Sequence, residues 1–285
     1  MERVYSIADI KIKLESPFKS YDENNIKLFV DNYIGKCDIN YKIIEKNYSE
    51  IKEDEILIYE SSEFKVYSSG KGMIWRYKYI YTNNDYCCLV ENEDKERKIY
   101  IYENIEKYFP HTSAIFTKLN IHGALLSKEV MILHSSFIIH NNQSILFTAP
   151  SGTGKSTQAS LWEKYKGAEI INGDRSAIGT RNGEYFAYGL PFCGSSNICK
   201  NKEAPLKAIV VLKQAKENSV RRLSKIEAFK ILLGQVAINR WNKKDMELAM
   251  TLIEELIEKV PVVMLSCRPD KEATDVLNDY LNNEI

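Results

Sequence analysis

The sequence has no surplus of charge of either sign: Lys plus Arg and Asp plus Glu number 39 each. Holding a polyphosphate backbone over a wide surface needs a net positive field, so nucleic acid is not an expected partner. Long apolar runs are lacking too. The longest, "VMILHSSFIIH", falls short of the about 20 residues that span a bilayer, and "MERVYSIADIKIKLES" carries charge where a secretory signal would be apolar. The expectation is a cytoplasmic protein with no membrane partner. Cys37, Cys87, Cys88, Cys193, Cys199 and Cys267 form no CxxC pair and have no histidine at zinc spacing. Reduced, packed thiols are therefore expected, rather than a metal centre or a disulfide framework. Neither an internal repeat nor a low-complexity segment occurs, which argues against a repeat array.

What is present is enough chain for about two domains with real cores, with 285 residues of which 44% are hydrophobic and 27% charged. Residues 1–110 are rich in Tyr and Ile in alternation. In "IADIKIKL", Ile10, Ile12 and Leu14 alternate with Lys11 and Lys13, and "MIWRYKYIY" repeats the pattern after the turn signal "SSGKG". "CCLVENEDKERKIYIY" reads as two strands joined by a charged loop. A half-buried antiparallel sheet is expected, its tyrosines serving core and cross-strand packing.

After "YFPHTS" the period changes to that of a helix through Ile115, Leu119, His122 and Leu126, which sets a domain boundary near Pro110 and a second domain over 111–285. That second part reads as α/β. Strands are expected at 131–134, 137–140 and 144–147, then a helix from Lys155 and a short strand "AEII". A hairpin turning at Asn182 and Gly183 and a strand "KAIVVLK" follow. Ser224 and Glu227 form a capping-box pattern before a helix, another helix covers about 245–259, "PVVMLS" is a buried-type strand, and a helix lies in "RPDKEATDVLNDYL".

The chemistry concentrates in "APSGTGKST". Ala149 stands at the first position of a GxxxxGK[ST] phosphate loop, where a small residue suffices for the turn. Gly152 and Gly154 permit backbone angles that let the amides of Ser151, Gly152, Thr153, Gly154, Lys155 and Ser156 converge on phosphate oxygens at a helix N-terminus, with that of Thr157 completing the cradle. Lys155 would bridge the terminal phosphates of ATP, and the Ser156 hydroxyl would ligate Mg²⁺. A carboxylate is needed beside such a cradle, and "AEIINGDRSAI" supplies Asp174 at a strand-end turn. It would hold Mg²⁺, accept the acceptor's proton, or do both in turn. Its alternative reading is a surface turn aspartate. Arg175 fits a phosphate contact or a salt bridge. Arg240 and Arg268 are candidates for a phosphate clamp, with a helix-capping ion pair as the structural reading. In "GLPFCGSSNICKNKEAP", Gly194, Ser195, Ser196 and Asn197 form a polar loop with Lys200 and Lys202 beyond it, suited to close over an acceptor or simply to connect two strands.

The run "LHSSFIIHNNQSILFTAPSGTGKSTQASLWEKYKGAEIINGDRSAI" resembles the core of the HPr kinase family in order and spacing. The resemblance implies an α/β P-loop kinase domain with a mixed sheet, of the type shared with phosphoenolpyruvate carboxykinases, preceded here by the β-rich N-terminal part. It implies that His134 and Asp174, with Lys155, are catalytic. His122 and His140 have no such support and are read as structural. Gly173 stands where the family usually has the first of two adjacent aspartates. The family's later glycine-rich signature and C-terminal loop, which engage the phosphocarrier protein and support reverse phosphorolysis, have no clear counterpart.

The expected function is an ATP- and Mg²⁺-dependent phosphotransferase acting on a hydroxyl, a Ser or Thr of a peptide or protein, with the N-terminal part available for substrate recognition. Two alternatives stay open, a small-molecule kinase of carboxykinase type and a non-catalytic ATP-binding regulator. Whether the protein acts as a monomer or a homo-oligomer is also open.

Overall fold

The structure, a computed structural model, describes residues 2–17, 24–45, 55–70, 72–78, 85–92, 96–101, 112–194 and 196–284. They form two compact units, Met1–Asn120 and Ile121–Ile285. Pro110, the boundary expected from sequence, lies outside the described residues, as does the charged turn at 93–95.

The first unit carries the strands β1 (Glu2–Ile7), β2 (Ile10–Glu15), β3 (Val30–Asp31), β4 (Ile39–Glu45), β5 (Ile56–Glu60), β6 (Phe64–Ser69), β7 (Gly72–Lys78), β8 (Asp85–Asn92) and β9 (Glu96–Ile101). They make one nine-stranded sheet in the order β3-β1-β2-β4-β9-β8-β7-β6-β5. It is mixed, not purely antiparallel as expected: β4 runs parallel to both β2 and β9. Parallel neighbours need a crossover connection, and the long segments between β2 and β4 and between β4 and β9 supply it. Ile12 and Leu14 are buried while Lys11 and Lys13 stand between them, as the alternation requires. Of the tyrosines, Tyr5, Tyr41, Tyr77 and Tyr86 pack inward, whereas Tyr33 is exposed. Tyr5 and Tyr41 each hold the ring of Phe116, from the helix Thr112–Lys118, at a centroid distance of 5.5 Å.

The helical period after "YFPHTS" does not run on as one helix. It ends at Lys118 and resumes over Ile121–Leu126, because Asn120 takes a left-handed φ of 61°.

The second unit contains β10 (Met131–His140), β11 (Gln143–Thr148), β12 (Glu169–Asn172), β13 (Arg175–Arg181), β14 (Glu184–Tyr188), β15 (Glu203–Gln214), β16 (Ser219–Arg222) and β17 (Val262–Cys267). β10 is a single strand where the sequence suggested two. Its central Ser135 and Ser136 are fully buried and take part in the sheet, their hydroxyls meeting Ser176 Oγ and the Gly173 carbonyl. The hairpin β13–β14 turns at Asn182 and Gly183, both at positive φ (54° and 80°). This is the combination that matches strand twist in a two-residue turn. The capping box is formed, Ser224 accepting from the Glu227 amide at the head of the helix Lys225–Gln235.

β11, β15 and β17 are mutually parallel neighbours and are covered on both faces. On one face Leu146, Ile209, Val211 and Val262 pack with Leu232 of the helix Lys225–Gln235 and with Leu252 and Leu256 of the helix Lys243–Lys259. On the other, Phe147, Val210, Val263 and Leu265 pack with Trp162 of the helix Lys155–Lys166 and Leu277 of the helix Lys271–Asn283. Burial on both faces is why these strands read as unbroken apolar runs such as "AIVVL". Among the described residues no helix is long and apolar enough to cross a membrane.

Candidate functional site

β12 and β13 run one after the other along β10. Asn172 is opposite Phe137 and Arg175 opposite His134, with Gly173 and Asp174 between them. At those two residues the ladder lapses. The Ser135 amide donates to the Asp174 carbonyl (3.0 Å) and the Ser136 hydroxyl to that of Gly173 (3.0 Å). Asn172, fully buried, holds the break in shape. Its Oδ1 accepts from the amides of Asp174 (2.9 Å) and Arg175 (3.0 Å), and its Nδ2 donates to the carbonyls of Leu190 (3.1 Å) and Phe192 (2.8 Å).

The other wall comes from the loop 149–154 between β11 and the helix Lys155–Lys166. Gly152 and Gly154 have φ of 78° and 114°, where a side chain would be strained. The first backbone bond of the helix runs from Gln158 N–H to the Gly154 carbonyl (2.9 Å), and glycine at the N-cap provides no side-chain cap. The amides that precede Gln158 in the helix therefore have no partner within it, at the positive end of its dipole. Lys155 is only 8% exposed. Its ammonium is turned back on its own loop, donating to the carbonyls of Ala149 (3.0 Å) and Pro150 (3.4 Å). Burial lowers its pKa, and the charge of Asp174 acts in the opposite sense.

Between these walls lies a cleft of about 310 Å³ lined by His134, Ser151, Gly152, Gly154, Lys155, Ser156, Thr157, Gly173, Asp174, Gly194 and Ser196. His134 Nε2 stands 3.7 Å from Asp174 Oδ1, and its Nδ1 is 3.3 Å from Gln235 Oε1. With that oxygen as acceptor, Nδ1 carries the proton, and Nε2 turns a lone pair toward the carboxylate. Burial first and the Lys155 charge second lower the His134 pKa, against the opposing effects of Asp174 and Gln235. Imidazole and carboxylate thus stand 3.7 Å apart, both lining the cleft. Arg175 Nε approaches Asp174 Oδ2 at 3.3 Å.

The cleft gathers most of the residues expected from sequence, with Thr153 at its rim in a neighbouring cleft. Ser195 lies outside the described residues. Arg240 is engaged elsewhere, donating to the Leu233 carbonyl (2.8 Å), and Arg268 pairs with Asp270 (2.9 Å) and Glu272 (2.6 Å) at the start of the last helix. Residues 200–202 of the polar segment are pinned against β12. The Lys200 amide bonds the Ile171 carbonyl, and Lys200 and Lys202 both pair with Glu169. His122 bonds Asn239 and His140 packs edge-on against Trp162, both away from the cleft.

Sequence reasoning missed Asn172, Gln235 and the reason for Gly173. A Cβ at 173 would collide with the Ser196 side chain, and one at Gly194 would lie 3.0 Å from Asp174 Cβ. The two glycines let the segment containing Ser196 lie directly on the carboxylate turn. An Asn followed by Gly at the end of an apolar strand was the available signal for a side-chain-stabilised break.

The fold and the cleft together define a mixed α/β protein with a polar site at a strand-to-helix loop. The family model described as "SynChlorMet cassette protein ScmC" matches residues 87–268, and the chain belongs to that family. Among curated proteins none matches. Among solved structures, the chain is similar to the HPr(Ser) kinase/phosphatase from Coxiella burnetii. The identity is 12%, the match covers 54% of this chain and 89% of that one, and the TM-score is 0.32.

Asn172→Ala removes two donors and an acceptor's two bonds from a dry site, so unfolding in urea should show a loss of about 3 kcal/mol. Asn172→Asp keeps the acceptor but sets a buried carboxylate against the Leu190 and Phe192 carbonyls, so it should cost at least as much; an alanine variant as stable as the parent would remove Asn172 as the clamp.

A histidine whose folded pKa lies below its unfolded value of about 6.5 binds fewer protons when folded. The stability linked to His134 is therefore present above pH ~6.5 and lost as pH falls through the lowered value. His140, lowered by burial and then by Lys166 and Lys207, adds in the same direction. Thermal midpoints should fall on acidification, less steeply in His134→Gln. Parallel curves for the two proteins would exclude His134 as a contributor.

Proposed function

We propose that the chain is a magnesium-dependent kinase that transfers the γ-phosphoryl group of ATP to a hydroxyl of a Ser or Thr in a peptide or protein. The observation that carries this reading is the buried Lys155 ammonium, enclosed by a loop whose glycines open helix-terminal amides onto a cleft faced by Asp174 and His134. A buried cation bonded only to neutral carbonyls is costly, and a phosphate chain in the cleft would offset that cost. The loop 149–154 then acts as a P-loop, with its amides on the phosphate oxygens. The choice of a Ser or Thr acceptor rests on the resemblance of the 133–178 run to HPr kinases.

Ser156 and Asp174 offer hard oxygen donors on one cleft, which suits Mg²⁺. Among the described residues no group of three or more His, Cys, Asp or Glu gathers at metal-binding range. Such an ion would draw most of its shell from phosphate and water, as Mg²⁺ commonly does. When bound it would neutralise charge on the phosphate chain.

The chain's own residues do the rest. A hydroxyl set in the cleft against Asp174 Oδ1 donates its single proton to that oxygen, with His134 Nε2 beside it. Asp174 orients it and takes its proton late in a loose transition state, while His134 stays neutral. Lys155 would leave its loop carbonyls for the terminal phosphates.

Incubation with γ-labelled ATP, Mg²⁺ and candidate peptides, free serine and threonine, and protein fractions tests the reading. Label should appear on Ser or Thr of a peptide or protein. Lys155→Ala should weaken ATP binding and lower transfer further. Asp174→Asn should keep the fold and much of the nucleotide binding, lower transfer by about 10²-fold or more, and raise the Mg²⁺ needed. Parental ATP binding in the first variant or near-parental transfer in the second would defeat the assignment.

A further inference from the structure

A second cleft, of about 350 Å³, adjoins the same loop. It lies at the carboxyl ends of β15 and β17 and shares Gly152, Gly154 and Thr157 with the first. A single ligand can therefore follow the loop backbone from one cleft into the other. Crevices at the carboxyl ends of parallel strands are where open α/β sheets receive ligands. Leu212, Ala215, Cys267 and Pro269 give it apolar walls. Arg268 also lines it, its guanidinium paired with Asp270 and Glu272.

Gln158 also lines this cleft, one turn into the helix that begins at Lys155. It is 2% exposed, and its Nε2 donates to Cys267 Sγ at 3.3 Å. Its Oε1 accepts no hydrogen bond among the described residues. A buried amide oxygen without a donor is an unmet acceptor, and a ligand that brings an N–H to it recovers the missing bond.

We infer that the second cleft is a nucleobase subsite in which Gln158 Oε1 accepts from the exocyclic amino group of adenine. The inference rests on the phosphate-loop reading of the first cleft, since the triphosphate lies there and the base reaches past Gly152 and Gly154. Guanine carries a carbonyl where adenine carries its amino group. With Gln158 Nε2 held on Cys267 Sγ, it sets acceptor against acceptor at Oε1, which selects ATP over GTP.

The test uses the full chain with Mg²⁺ and three probes, ATP, GTP and inorganic tripolyphosphate, each titrated by calorimetry into the parent and Gln158→Leu. The parent should bind ATP about tenfold or more tightly than GTP. The variant should bind both within about twofold of each other, with tripolyphosphate affinity unchanged. Cys267 gives a readout independent of any substitution. Its alkylation by iodoacetamide, followed by mass spectrometry, should be slowed by ATP and not by tripolyphosphate. Equal binding of ATP and GTP by the parent, or equal protection of Cys267 by tripolyphosphate, would overturn the subsite while leaving the phosphate loop standing. Failure of the parent to bind tripolyphosphate would bring down the phosphate-loop reading and the subsite with it.

Discussion

The site depends on one buried amide. Asn172 ties three stretches of backbone together, the end of β12, the two residues that interrupt the lane along β10, and the carbonyls of Leu190 and Phe192. Its own burial is tolerable because the side chain spends both its acceptor lone pairs and both its donors. Asp174 thereby leaves the ladder at a fixed point and with a fixed aim. The segment bearing Gly194 and Ser196 is held by the same residue, so the carboxylate and the wall that closes on it share a single anchor. In a dry interior such a network is worth more than its separate bonds, and a half-made one is worth less than none.

That anchor matters because of how the sheet is wound. β10 pairs with β13 through residues 131–134 and with β11 through 135–140. β15 pairs with β14 at its start and with β11 and β17 along its remaining length. The pairings β11–β10–β13–β14–β15–β11 close a circuit, and His134 sits at the point where β10 changes partners. The Thr148 hydroxyl bonds the His134 carbonyl (2.9 Å), which fixes the exit of β11, and so the start of the loop, to the strand that carries the imidazole. Loop, histidine and aspartate come from separate stretches of chain, each within or directly beside a strand of that circuit.

Much of this was legible wherever the determinant is local. The glycines of "SGTGKS", the turn at Asn182 and Gly183, the capping box at Ser224 and the carboxylate after "AEIIN" all act through their immediate neighbours, and each is found where the pattern puts it. The illegible parts have partners far along the chain. "SS" within "ILHSSFII" stood between two expected strands, 131–134 and 137–140. It is a strand interior because Ser176 and Gly173 satisfy its hydroxyls. The parallel placement of β4 in the first unit depends on crossovers that alternation does not encode. Gln235 is an unremarkable residue near a helix end until the fold brings it to His134. Gly173, read as a missing aspartate, proves to be space taken by Ser196.

A chain with formal net charge of zero has no broad positive face, yet a single phosphate chain needs only a local one. Of the ionisable groups lining the cleft, His134 is pushed toward neutrality by burial and by Lys155, and Asp174 is part-engaged by Arg175. Lys155, buried by its own loop, is then left as a cation whose nearest acceptors are uncharged. Unpaired helix-terminal amides add to the same field, and low exposure keeps solvent and salt from screening it as they would at the surface. The proposed phosphate site thus arises from arrangement rather than composition: the same 39 cations and 39 anions, distributed evenly, would leave no such place.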